Sequence, residues 1–325
     1  MYTSEEILEK INQGLAGLNL EGRPFGLYQP IRYVLSMGGK RLRPVLMLMA
    51  YNMYRDEVDS VLPVALGLEV YHNYTLLHDD VMDRAEVRRG KPCVHVVWDE
   101  NTAILSGDTM LVLAYRLIAE SPSRHLKEVM DLFTGTALEI GEGQQYDIDF
   151  EERMDVTEDE YIEMIRLKTS VLLACALKIG AMLAGASASD SDALYRFGEK
   201  IGLAFQLQDD MLDVYGDFNT FGKKIGGDIL CNKKTYMLIQ AMACSCGKSH
   251  DELLRWINAS DFDADEKVRA VTAIYDEVGV KGMCQNLING YFHDARVILE
   301  NEVRLPLEKK QLLWEYALSL LGRVS

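Results

Sequence analysis

Basic charge is scarce in this 325-residue chain, where 34 Lys and Arg stand against 50 Asp and Glu for a formal net charge of −16. That balance excludes nucleic acid as the main partner, because gripping a phosphate backbone needs a net basic face. Strand patterning is missing too: no period-2 alternation is sustained, and no Asn-Gly or Asp-Gly turn joins β-branched runs. The six cysteines lack metal-finger spacing, Cys244-Ser-Cys246 being the only close pair, with no second pair or histidine cluster nearby. The opening Met-Tyr-Thr-Ser-Glu-Glu is acidic where a secretory signal needs a basic segment, so a cytoplasmic protein with reduced thiols is expected. No stable membrane anchor is expected either. The most apolar run, residues 171–186, is short for a span and carries Lys178, which suits a buried core helix.

What is there reads as helix. At 48% hydrophobic and 26% charged, with only seven prolines, the chain can bury a large core, and disorder is excluded. Ile7, Leu8, Ile11 and Leu15 make one stripe, and Leu62, Ala65, Leu66 and Glu69 open a longer pattern running toward Asp83. Thr157-x-x-Glu160 and Ser249-x-x-Glu252 both have capping-box form, and Pro44 sits where a first helical turn accepts it. Loops are expected at 19–24, 84–92, 147–155, 185–190 and 216–234, none of them an interdomain linker. The expectation is an all-α single domain over residues 1–325, built from about ten or more helices.

One acidic motif occurs twice. Asp79-Asp80-Val81-Met82-Asp83 and Asp209-Asp210-Met211-Leu212-Asp213 share the form Asp-Asp-x-x-Asp. On a helix, residues three and four apart face the same way, so each motif is a stripe of like charge costing roughly 0.2–0.5 kcal/mol per pair. Apolar neighbours (Leu76, Leu77, Val81 and Met82; Phe205, Leu207, Met211, Leu212 and Val214) point to buried helices rather than solvated acidic faces. Carboxylates held among apolar residues need protons or a cation. Hard oxygen donors without His or Cys at ligand spacing favour Mg²⁺, which completes its shell with water and substrate phosphate.

Basic groups answer the stripes. Gly38-Gly39-Lys40-Arg41-Leu42-Arg43 puts three cations after a glycine pair and before a helix N-terminus, where anions are favoured. Arg88-Arg89-Gly90-Lys91 follows the first stripe, and Gly222-Lys223-Lys224 with Lys233-Lys234 follows the second. Arginine suits bidentate contact to a diphosphate and lysine supplies a mobile point charge. Tyr74 and Thr75 lie five and four residues before Asp79, about 6–7.5 Å deeper along the helix, where an apolar tail would meet them.

These residues resemble the trans-isoprenyl diphosphate synthases, or polyprenyl synthetases, from about Tyr28 to Tyr236. The likeness rests on Gly-Gly-Lys-Arg-Leu-Arg-Pro, His-Asp-Asp-Val-Met-Asp with Arg-Arg-Gly-Lys-Pro, Gly143-Gln144-x-x-Asp147, Lys168-Thr169, and Gln-Leu-Gln-Asp-Asp-Met-Leu-Asp. The last ninety or so residues carry no usable motif. The resemblance implies an isoprenoid synthase fold, a helical bundle around a central cavity, a homodimer, and head-to-tail condensation of isopentenyl diphosphate with an allylic diphosphate of five to fifteen carbons.

Carried over by motif, Asp79, Asp83 and Asp209 would ligate magnesium, three ions in all, with Asp80 and Asp213 supporting. Lys40, Arg43, His72 and Arg89 would hold isopentenyl diphosphate. Arg88, Lys168, Thr169, Gln206, Lys223 and Lys233 would hold the allylic diphosphate, with Gln144, Asp147 and Asp210 behind the metal's waters. Lys223 and Lys224 are alternatives, because this loop holds one residue more than in some relatives. A local break is expected at Lys168-Thr169. The first motif lacks the two-residue insertion of many bacterial relatives, and Tyr74 with small Thr75 resembles short-chain synthases, geranylgeranyl type first and farnesyl type second.

Two rivals share this ground. A class I terpene cyclase would mix Asn, Ser or Thr with Glu in its second motif, and would leave Lys40 and Arg43 without a second diphosphate. A non-catalytic partner subunit would have lost aspartates, whereas this chain keeps all six. The synthase reading expects both triplets to converge on one pocket.

Overall fold

Thr3 opens the first helix. Its hydroxyl accepts from the Glu6 amide while the Glu6 carboxylate takes the Thr3 amide, a capping box at the start of Ser4–Ala16. Ile7, Ile11 and Leu15 are buried along that helix, as their spacing predicts. Thr157 and Glu160 close the expected box in front of Glu158–Ile165. Ser249 does not cap. The helix there starts at Gly247, two residues earlier, so Ser249 lies inside it and its hydroxyl donates to Glu277 instead.

The protein is described from a computed structural model, for residues 1–216 and 225–321, the last for its backbone alone. Helices dominate, well over the ten expected, and among the described residues the only strands are the two-residue pair Val87–Arg88 and Lys91–Pro92. Two loop expectations shorten: Leu126–Glu151 runs as one helix through Asp147, and the 185–190 loop gives way to helix at Ala188. Pairing of Gln145 with Asp149 one turn on, and no proline or glycine after Gly143, keep the first of these helical.

The chain divides into two compact units. The first comprises Met1–Gly135, Cys175–Tyr195 and Glu302–Leu313; the second comprises Thr136–Ala174, Arg196–Asn301 and the stretch from Trp314. In the first, Leu62–Met82 packs along Glu100–Ile118. The apolar run behaves as expected: Glu158–Ala184 is long and apolar enough to cross a membrane, yet 78% of its apolar window is buried in the protein. Its Lys178 escapes to the edge, where it pairs with Asp192 at 2.6 Å.

Candidate active site

In the first unit, the helix Leu62–Met82 carries Tyr74, Thr75, His72 and the first stripe. Asp80 is buried and is gripped by Arg88, whose Nε and Nη2 both donate to Asp80 Oδ1 at 2.7 Å. Burial raises the Asp80 pKa against the pull of Arg88, and the Cys93 thiol donates to the same carboxylate. Asp79 lies 3.7 Å from Arg88 Nη2. The stripe is less enclosed than its neighbours predict, because the helix ends here: Met82 is 48% exposed and Asp83 is open to solvent.

Arg43, His72 and Arg89 come together. Arg43 Nη1 donates to His72 Nε2 at 3.0 Å, which leaves the His72 proton on Nδ1, since guanidinium has no acceptor. Burial first, then the charges of Arg43, Arg89, Arg88 and Arg41, hold the His72 pKa well below the usual histidine value. Arg89 reaches the Gly38 carbonyl, and its guanidinium occupies the space where a side chain at Gly39 would lie. Lys40 is exposed beside them.

Arg41 departs from the three-cation reading. Its side chain is 3% exposed and pairs with Glu69, 1% exposed, at 2.8 Å, while Nη2 donates to the Leu35 carbonyl. It faces inward because Arg41 takes a left-handed backbone conformation, φ +50°, at the cap of Leu42–Asn52. Two of the three cations remain for a ligand.

Tyr74 is half-buried and packs edge-on against His78, centroids 4.8 Å apart, and at a tilt against Tyr71. Burial, with Asp108 and Tyr115 nearby, raises its pKa. Thr75 spends its hydroxyl on the His72 carbonyl at 2.8 Å.

The second unit holds the rest. The break expected at Lys168-Thr169 is a π-helical turn, Arg166–Ser170. Two glycines admit it: a Cβ on Gly143 would come within 2.4 Å of the Lys168 amide nitrogen, and one on Gly202 within 2.6 Å of Ser170 Cα. Lys168 Nζ then pairs with Asp147 Oδ2 at 2.5 Å, and Thr169 donates to Gln206 Oε1 at 3.0 Å. Gln206 passes its amide to Asp210 at 2.9 Å. Gln144 is half-buried on the Asp147 helix.

Burial raises Asp147, but Lys233 and Lys168 outweigh it and the net pKa is lowered. Asp210 goes the other way. Burial, then Asp228, push its pKa to about 7 against Lys233, Tyr161 and Gln206. Asp209 is half-buried beside it. Asp213 is buried and accepts from the Asp228 amide at 2.9 Å. Lys223, with its alternative Lys224, lies outside the described residues.

Against known proteins, the chain matches the polyprenyl synthetase family over residues 25–275. It belongs to that family. It is 47% identical over 222 residues to a geranylgeranyl diphosphate synthase of Methanosarcina mazei, covering 67% of this chain and 68% of the relative. Among solved structures, a geranylgeranyl pyrophosphate synthase superposes at TM-score 0.94 with 41% identity over the whole of both chains. A geranylgeranyl pyrophosphate synthase from Corynebacterium glutamicum, complexed with isoprenyl diphosphate and magnesium, superposes at 0.87 with 26% identity, covering 98% of each chain. The fold is therefore the isoprenoid synthase fold, and the enzyme is a trans-prenyltransferase of the isoprenyl diphosphate synthase type. Neither the terpene cyclase nor the partner-subunit reading gains support from these likenesses.

The donors suit a hard cation in this synthetase: the stripes offer carboxylate oxygens alone. Among the described residues, no three His, Cys, Asp or Glu side chains are gathered to hold a metal. Three contributors escaped sequence reasoning: Tyr161, whose hydroxyl donates to buried Asp210 at 2.5 Å; Asp228; and Cys93. Only Asp228 left a trace, as a lone acid between the basic pairs that follow the second stripe.

Proposed function

We propose that this synthase, as one domain over residues 1–325, condenses isopentenyl diphosphate head-to-tail with an allylic diphosphate of five to fifteen carbons. The product is an all-trans C20 diphosphate first and C15 second, with diphosphate released. The observation that carries the reading is the gathering of Arg43 and Arg89 around a neutral, half-buried His72 in a chain of net charge −16. A negatively charged protein that concentrates guanidinium groups in this way has built a receptor for a multivalent anion.

Lys40, Arg43, His72 and Arg89 hold isopentenyl diphosphate. Because Arg43 fixes the tautomer, His72 offers Nδ1–H to a neighbouring oxygen. Asp79, Asp83 and Asp209 ligate magnesium, with Asp80 and Asp213 in support. When bound, three magnesium ions supply positive charge to the departing diphosphate and make C1–O ionisation accessible.

Lys168, aimed by Asp147, donates to the allylic diphosphate together with Arg88, Thr169, Gln206, Lys233 and Lys223. Gln144, Asp147 and Asp210 would stand behind the metal's waters. The ionisation needs no nucleophilic side chain: the isopentenyl double bond itself attacks the allylic C1 as the C1–O bond breaks, and positioning replaces a bimolecular encounter. The proton lost afterwards goes to the released diphosphate. Tyr74, with Thr75 beside it, floors the tail pocket.

The synthase is cytoplasmic, consistent with six free cysteines. It works as a homodimer, a reading supported by the exposed Ile104, Leu105 and Val112 on one face of Glu100–Ile118. Mass spectrometry of products from C5, C10 and C15 starters with isopentenyl diphosphate and magnesium tests the reaction. A C20 diphosphate is expected, lost with EDTA and in Asp79→Ala and Asp209→Ala at unchanged circular dichroism. Cyclic hydrocarbon, or wild-type turnover in either variant, overturns it, and a monomer by light scattering overturns the dimer.

A further inference from the structure

The helix Ala264–Val278 bears no motif, yet among the described residues it holds the most confined lysine. Lys267 is 1% exposed. Its Nζ donates to Asn232 Oδ1 at 2.8 Å and to the Leu230 carbonyl at 3.3 Å, and stands 4.3 Å above the Phe262 ring. Two oxygens and a π-face match the three donors of an ammonium, and all are neutral. Burying a charge among neutral partners is costly, and methionine would fill similar space without that cost. Burial lowers the Lys267 pKa in keeping with this. The cation must therefore contribute something that apolar packing cannot, namely a directional hold on two particular oxygens.

Those oxygens belong to one short segment. Gly226 donates its amide to the Asp213 carbonyl at 2.7 Å, and Asp228 donates to Asp213 Oδ2 at 2.9 Å. The Lys233 amide closes back on the Asp228 carbonyl at 2.9 Å. The charge of Lys233 acts on both Asp147 and Asp210. Helix Ala264–Val278 grips this segment at two points with consecutive residues. Val268 fills the space beside Gly226, where φ is +83° and a Cβ would come within 2.6 Å of Val268 Cγ2. Lys267 ties down Leu230 and Asn232, and Asn232 is itself left-handed at φ +54° with its amide on the Ile257 carbonyl.

We propose that Lys267 is a positioning residue for the allylic diphosphate: from helix Ala264–Val278 it clamps residues 226–233, and so sets where Lys233 and Asp228 stand against the second aspartate stripe. The inference rests on the reading of Lys233 as a ligand of that diphosphate.

The test measures calorimetric affinity of a non-reacting allylic thiodiphosphate with Mg²⁺, and of isopentenyl diphosphate, in wild type, Lys267→Met, Asn232→Gly, the double variant and Lys233→Ala. Amide hydrogen exchange is followed at Asp228, Lys233 and the core residue Ile11. Lys267→Met is expected to weaken the allylic analogue ~10–100-fold, the usual range for groups that orient a ligand's direct partners, with isopentenyl diphosphate affinity held. Asp228 and Lys233 amides exchange faster while Ile11 does not. Asn232→Gly, which keeps the left-handed backbone accessible, has the same effect, and the double variant adds little because both act through one contact. Unchanged allylic affinity in Lys267→Met with Lys233→Ala impaired overturns the clamp alone. Unchanged affinity in Lys233→Ala overturns the clamp and the underlying reading together. Protection lost at Ile11 as well reduces Lys267 to a general stabiliser and overturns the clamp; Asn232→Gly decides the question if Lys267→Met fails to fold.

Discussion

Removing Arg41 should unfold more of this protein than removing any of the cations assigned to substrate. Its pair with Glu69 is 3% and 1% exposed, so neither charge can turn to water when the other is lost. In Arg41→Met the Glu69 carboxylate keeps only the Asn73 amide at 2.9 Å on Oε1, and Oε2 has no partner. Stranding one member of a buried pair costs about 3–5 kcal/mol. The backbone contribution cancels, because arginine and methionine are equally unfavourable at φ +50°.

Arg41→Met/Glu69→Leu removes both charges and should recover most of the loss. What remains is the Leu35 carbonyl, deprived of the Arg41 donor, at about 1–3 kcal/mol. Urea unfolding of wild type, both single variants and the double closes the cycle. Isopentenyl diphosphate affinity by calorimetry separates structure from binding and should be preserved in the folded double variant. A stable Arg41→Met, or a double variant no better than the single, would refute the buried-pair argument. A folded double variant with lost affinity would return Arg41 to the substrate cations.

Three further outcomes are expected. Tyr74→Ala should lengthen the product by one or more five-carbon units, read by mass spectrometry; an unchanged distribution shows that Tyr74 is not the floor. Gly143→Ala places a Cβ 2.4 Å from the Lys168 amide nitrogen, which is backbone and cannot swing aside, so the π-turn must shift at a cost of about 1–3 kcal/mol. The allylic KM should rise with it, and wild-type kinetics would contradict the close approach. His72 is neutral when folded and protonates on unfolding, so the unfolded state binds the extra proton below pH 6.5 and stability falls as pH drops through that point, by up to about 1.4 kcal/mol per unit. Urea unfolding of His72→Gln between pH 8 and 5 should show a shallower acid slope, and an identical slope would mean His72 is not held neutral.

Much of the fold was legible because helices announce themselves locally. Ile7, Ile11 and Leu15 share a face by spacing alone, and Thr157 meets Glu160 within one turn. Ser249 misled for a complementary reason: capping form records which residues could pair, and the helix had already begun at Gly247. Family likeness points to a local break at Lys168-Thr169, but its π-helical form and its cause, two glycines 59 residues apart in sequence, are visible only in the fold.

The sequence alone determined the helical class, the two aspartate stripes and the basic groups after them, since each is written within a few consecutive residues. Tertiary structure alone decided which cations serve the fold and which remain for ligand. Arg41 and Arg43 are two residues apart, yet one meets Glu69 in the core and the other meets His72. Asp210 is held by Tyr161 and Lys267 by Asn232, partners 49 and 35 positions away. The fate of a charge depends on the dielectric and the donors around it, and those are supplied by chain segments that only folding brings near.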